Sequence, residues 1–185
     1  MDQVIHDSNN FTTAARHPEE PQAQPVLSEA SGSGSPSGTI CYLGLGSNLG
    51  DRAEQISKAI ELLATHPQVK VICSSSNYEN PAIEDAGPHD FLNSVVQIET
   101  DLSPLELLDF VLETELKIDP DRNERGRKQA RKIDIDLLTY AELKLDHERL
   151  VLPHPRMQER EFVMKPLLSL RGTPTVILRS IEDAT

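Results

Sequence analysis

Arg131-Lys132-Ile133-Asp134-Ile135-Asp136-Leu137-Leu138 is the stretch on which the reading of the chain turns. Ile133, Ile135 and Leu137 alternate with Asp134 and Asp136. That is the period of a strand with one face in a core. Side chains two apart on a strand point the same way, so both carboxylates share a face, roughly 7 Å apart. Like charges this close repel unless a cation sits between them. Oxygen-only donors of this kind suit Mg²⁺, which takes one or two carboxylates, several waters and substrate phosphates. Just upstream, Arg122, Arg125, Arg127, Lys128, Arg131 and Lys132 concentrate positive charge. Acids for a metal beside bases for phosphate suggest a magnesium–nucleotide site. An edge strand guarded by charge accounts for the same residues equally well.

The 185 residues are enough for one domain with a real core, and their formal net charge is −12. So acidic a chain does not as a whole seek nucleic acid or an anionic membrane, which makes the basic run a local exception. Cys41 and Cys73 both lie in apolar runs. They read as buried free thiols of a reducing cytoplasm, with a disulfide left open. No apolar run approaches membrane-spanning length, and no signal-peptide pattern opens the chain. Residues 1–38 are polar and end in the linker-like Ser31-Gly32-Ser33-Gly34-Ser35-Pro36-Ser37-Gly38, so they are expected to be disordered. Residues 39–172 are the expected folded domain, and 173–185 a weakly patterned tail.

Outward from the carboxylate strand, structure is expected from Thr39, and the first predicted strand is Ile40–Leu45. Gly46-Ser47-Asn48-Leu49-Gly50-Asp51-Arg52 turns from it into a helix carrying Ile56, Ile60 and Leu63, which Pro67 ends. Residues 69–76 form a second strand with Val69, Val71 and Cys73 on one face. Residues 78–90 form a long loop, of a length that often marks function. In the strand 91–100, Leu92, Val96 and Ile98 take one face, and Phe91, Asn93, Val95 and Gln97 the other. A ring and a primary amide on one surface can stack on and bond a flat heterocycle; a rim Phe and an Asn satisfied by backbone fit as well. Ser103-Pro104-Leu105-Glu106 starts a helix, with Leu105, Leu108 and Leu112 as its stripe and Val111 and Leu116 beside it. Asp119-Pro120 stops it, and residues 120–132 lead into the carboxylate strand. A hairpin surrounds Asp146-His147-Glu148, Pro153-His154-Pro155 makes a rigid turn, and a helix over 161–170 carries Phe162 inward. This order gives an α+β fold: an antiparallel-rich sheet with helices on both faces, a three-layer sandwich of the ferredoxin-like class.

Three separated segments resemble one family. Tyr42-Leu43-Gly44-Leu45-Gly46-Ser47-Asn48-Leu49-Gly50-Asp51-Arg52 resembles the opening signature of 6-hydroxymethyl-7,8-dihydropterin pyrophosphokinases. Arg131 to Leu138 resembles their metal strand. Arg149-Leu150-Val151-Leu152-Pro153-His154-Pro155-Arg156-Met157, with Arg160 and Phe162, resembles their nucleotide-side segment. The resemblance covers residues 40–170 and implies transfer of pyrophosphate from ATP to the pterin hydroxymethyl group, giving AMP and the pterin diphosphate. It implies that Asp134 and Asp136 hold two Mg²⁺ ions and that Arg131 contacts the phosphates, with Arg122 or Arg125 as the partner arginine. It implies Asn80, Ile83, Phe91, Asn93 and Phe162 around the pterin, and Glu115, Arg149, His154 and Arg160 around ATP. The chain departs from the family's pattern at Asp119-Pro120, at Lys128-Gln129-Ala130 and at Pro155. These departures bear on nucleotide affinity more than on the metal. Together with the charge and the free thiols, the resemblance gives the expectation of a cytoplasmic monomer that works on small molecules, without nucleic acid or membrane. A member that binds but does not turn over, and a nucleic-acid-binding module using residues 122–132, are the other readings.

Overall fold

Cys41, Leu43 and Leu45 of strand β1 (Thr39–Ser47) are fully buried on one face, while Tyr42, Gly44 and Gly46 point to the other. A strand apolar on both faces belongs at the centre of a sheet. In this computed structural model, which describes residues 38–81, 89–122 and 130–170, β1 lies between β4 (Phe91–Thr100) and β5 (Asp134–Tyr140). The order is β2-β4-β1-β5, with β2 (Val69–Ser74) and the short β3 (Tyr78–Asn80) both paired to β4. All these pairings are antiparallel. The crossover through helix α1 (Arg52–Leu63) leaves room for β4 between β1 and β2, the split βαβ arrangement of the expected class.

Helices cover both faces. From α1, Ile56, Ala59 and Leu63 pack with Leu107, Val111 and Ile118 of α2 (Pro104–Ile118) against Leu43, Val96, Ile98 and Ile135. On the opposite face, Val163 and Leu167 of α3 (Glu161–Ser169) pack on Tyr42, Val95 and Leu138. Each Leu, Ile or Val among them, once fully buried, contributes about 1.5–3 kcal/mol. Asp51 caps α1 by accepting from the Glu54 N–H at 3.0 Å. Ser103 and Glu106 form a capping box on α2. The hairpin is β6 (Leu145–His147) with β7 (Leu150–Leu152).

Several expectations need correction. The segment after β2 is not all loop: Tyr78–Asn80 forms β3, pairing with Phe91–Asn93. Val69 and Val71 join the α1–α2 core, but the register shifts between Val71 and Cys73, and Cys73 joins the α3 side. The buried stripe of α2 is Leu107, Val111, Thr114, Glu115 and Ile118, whereas Leu112 and Leu116 are exposed. Cys41 and Cys73 are free thiols as expected, but only Cys41 is buried and Cys73 is partly exposed. Ile83, Arg125 and Lys128-Gln129 lie outside the described residues, as do the tails 1–37 and 171–185. Among the described residues no helix is long and apolar enough to cross a membrane.

Candidate active site

The carboxylate strand is an edge strand after all, yet its acids do more than guard the edge. Ile135 and Leu137 point into the α1–α2 core. Asp134 and Asp136 therefore project to the α3 side, where they line a cavity of about 250 Å³. β1 opens its floor with Gly44 and Gly46. A Cβ on Gly46 would stand 3.1 Å from Asn93 Oδ1 and 3.9 Å from Phe91 Cδ1. Asn80, Phe91 and Asn93 form one wall, and Arg160 and Phe162 the other. Asn93 Nδ2 donates to Asn80 Oδ1 at 2.5 Å and to the Tyr78 carbonyl at 3.4 Å. The Arg160 guanidinium lies 5.7 Å from the centre of the Phe162 ring.

A second cavity, about 380 Å³, opens on the other side of the acid pair. Asp134 and Asp136 line both. Glu115, Arg122, Arg149 and His154 line the second cavity only, with Leu112 and Val151 as an apolar wall. Among the sequence-predicted residues, Asn80, Phe91, Asn93 and Phe162 thus gather in the first cavity. Glu115, Arg122, Arg149 and His154 gather in the second, and Arg131 and Arg160 line the first beside the acids.

Charge is closely paired here. Arg131 Nη1 donates to Asp134 Oδ1 at 2.7 Å, Arg122 Nη2 reaches the same oxygen at 3.4 Å, and Arg160 Nη1 meets Asp136 Oδ2 at 3.3 Å. Burial and the neighbouring Asp134 charge raise the Asp136 carboxyl above its usual range, against the pull of His154 and Arg160. Glu115, 2% exposed, pairs with Arg122 and accepts from the Ile135 N–H at 2.7 Å. Burial pushes its carboxyl up to about 7, with Arg122 pulling the other way. Burial also lowers His154, against Asp136. Arg149 pairs with Asp109 on α2.

Sequence reasoning missed the residues that hold this geometry. Asn48 Oδ1 accepts from the Arg131 N–H at 2.8 Å, and the Asn48 N–H donates to the Arg131 carbonyl at 3.2 Å. Asp119 fixes both ends of the basic loop: its carbonyl accepts from Arg122 N–H at 3.1 Å and its Oδ2 from Lys132 N–H at 3.1 Å. Both residues are almost fully buried. A buried polar side chain in a turn is indistinguishable in sequence from an exposed one, so only the glycines around Asn48 carried a signal.

A family model described as 7,8-dihydro-6-hydroxymethylpterin-pyrophosphokinase (HPPK) matches residues 42–172. The 2-amino-4-hydroxy-6-hydroxymethyldihydropteridine pyrophosphokinase of Methylorubrum extorquens is 42% identical over 146 residues, covering 79% of this chain and 91% of that protein. Its Bacillus subtilis namesake is 38% identical over 131 residues, covering 71% and 77%. The bifunctional protein FolKE of Lactococcus lactis is 38% identical over 143 residues, but the match spans only 40% of its length. A crystal structure of Plasmodium falciparum HPPK-DHPS with pteroate shares the fold, with a TM-score of 0.54 at 14% identity over 80% of this chain and 44% of that one. The cavities joined at an acid pair therefore sit in a protein of known kin: the chain belongs to the 7,8-dihydro-6-hydroxymethylpterin-pyrophosphokinase family.

Proposed function

We propose that this chain transfers the terminal pyrophosphoryl group of ATP, intact, to the hydroxymethyl oxygen of 6-hydroxymethyl-7,8-dihydropterin, and that the transfer takes place across Asp134 and Asp136. The observation that carries the assignment is that these two acids line both cavities at once. The pterin occupies the first cavity, stacked between Phe91 and Phe162, with Asn93 and Asn80 reading its polar edge. ATP occupies the second. Its base lies against Leu112 and Val151, which are 42% and 41% exposed without a ligand. Glu115, Arg149 and His154 surround the rest of the nucleotide.

The acid pair fits Mg²⁺ chemically. Both donors are hard oxygens from one strand face, and the Asp134 charge that burdens Asp136 is one a divalent cation relieves. Among the described residues no cluster of three or more His, Cys, Asp or Glu side chains is arranged for a metal. Water and phosphate oxygens would therefore complete the coordination, as Mg²⁺ prefers, and two ions are expected. When bound, magnesium neutralises phosphate charge. Arg131, Arg122 and Arg160, now on the acids, are placed to turn to phosphate oxygens and to stabilise the charge that develops in transfer. Arginine's fixed fork suits that task better than lysine.

The same reading has the chain act as a cytoplasmic monomer on small molecules alone. Supplying ATP, Mg²⁺ and the dihydropterin should release AMP only when all three are present. Asp134→Asn or Asp136→Asn should lower that rate by roughly 10²–10³-fold or more with the fold kept. Binding of both substrates without AMP release marks an inactive family member. Unaltered turnover in both variants removes the acid pair from the mechanism.

A further inference from the structure

The wall of the first cavity formed by α3 is not held to the opposite wall by packing alone. Lys165 Nζ lies 3.2 Å from the Tyr78 hydroxyl and 5.4 Å from the centre of the Tyr78 ring, and it also donates to Glu161 Oε2 at 2.7 Å. Tyr78 belongs to β3, three residues long and joined to β4 at Asn93, Leu92 and Phe91. Asn80 is two residues on, along the same strand, and lines the cavity. The Tyr78 carbonyl itself accepts from Asn93 Nδ2. On α3, Phe162 stands three residues before Lys165, one turn along the same side of the helix. One ammonium thus bridges the helix that bears Phe162 and the strand that bears Asn80. Glu161 holds that ammonium from its own helix at four-residue spacing.

We propose that Lys165 and Tyr78 are positioning residues that set the width of the heterocycle cavity, and so the affinity for the pterin, without touching it. This rests on the assignment of the first cavity to the pterin. A flat ring gains its full stacking only when both faces are in contact, and a gap of 0.5–1 Å forfeits about a quarter to a half of each contact's attraction. A short edge strand is the element least able to keep that spacing unaided. Lys165 is exposed and Tyr78 only half-buried, so neither is needed for the core.

The test is equilibrium binding of 6-hydroxymethyl-7,8-dihydropterin and, separately, of a nonhydrolysable ATP analogue with Mg²⁺. In Lys165→Met, which keeps the aliphatic stem, pterin affinity should fall about threefold to tenfold, the scale of one cation–π contact with its hydrogen bond. Nucleotide affinity and melting temperature should stay at the wild-type values. Tyr78→Phe should give a smaller loss, because the ring remains. Lys165→Arg should restore most of the affinity, and Tyr78→Ala with Lys165→Met should lose less than the two single losses combined. Wild-type pterin affinity in Lys165→Met, or equal weakening of both ligands, overturns the clasp. If the wild-type chain does not bind the pterin at all, the cavity assignment itself fails, and the clasp with it.

Discussion

At the scale of single residues, the site is made by small choices on three strands. Gly46 faces the first cavity, and an added methyl would press on Asn93 Oδ1 at 3.1 Å. Gly46→Ala should therefore cost about 1–2 kcal/mol of pterin binding, raising its KM roughly tenfold with KM for ATP unchanged. Equal effects on both substrates would show that the residue acts on the sheet instead of the cavity. Glu115 gives a pH prediction. Its folded-state pKa, up to about 7, lies above that of an unfolded chain's glutamate, so the unfolded state binds fewer protons between those values. Stability contributed by the neutral form is present below the ordinary glutamate pKa and is lost as pH rises through 7. The loss is on the order of 3 kcal/mol. Chemical denaturation at pH 5 and pH 8 should show this slope, and Glu115→Gln should flatten it. An unchanged slope in the variant would mean that Arg122 keeps Glu115 ionised throughout. Alternation alone put Asp134 and Asp136 on one face. Asn48 and Asp119 read only as turn and stop residues because their work is to satisfy backbone groups of residues far along the chain, which no local pattern records.

At the scale of elements, α2 shows where periodicity stops deciding. The helix carries leucines on two sides, and spacing alone favours Leu105, Leu108 and Leu112 as the stripe with Val111 and Leu116 beside it. The sheet buries Leu107 and Ile118 together with the expected Val111, with Thr114 and Glu115 interrupting the apolar pattern of that face. Leu108 and Leu112 line the second cavity. Of the expected stripe, Leu105 and Leu108 still pack partly on the core and only Leu112 is left exposed, which on the proposed function makes it a wall for the nucleotide. Leu107→Ala should cost about 2–5 kcal/mol of stability through the cavity it leaves. Leu112→Ala should leave stability within about 0.5 kcal/mol yet weaken the ATP analogue. Thermal melts and nucleotide titration on the two variants check this, and a larger stability loss in Leu112→Ala would reverse the assignment of the faces. β3 was illegible for a different reason. Three residues are too few to establish a period of two, and Tyr78–Asn80 is strand only because β4 offers partners at Phe91–Asn93.

At the scale of the whole molecule, the split βαβ order is what brings the parts together. β4 enters between β1 and β2, setting Phe91 and Asn93 beside the glycines of β1, and β5 closes the other side with its acids. The element order and the two-faced sheet were legible because α1, β4 and β5 have strong periods and α2 has a complete capping box. The joining of two cavities at Asp134 and Asp136 was not, since it depends on long-range register, with Gly44 opposite Asp136 and Gly46 opposite both Asp134 and Asn93. In the transfer proposed above, the group that passes between these acids is a two-phosphorus unit. Phosphorus NMR of the reaction with ATP, Mg²⁺ and 6-hydroxymethyl-7,8-dihydropterin reads this directly. AMP and a pterin bearing two linked phosphorus atoms should appear in equal amounts. ADP together with a singly phosphorylated pterin, or AMP formed without the pterin, would contradict it.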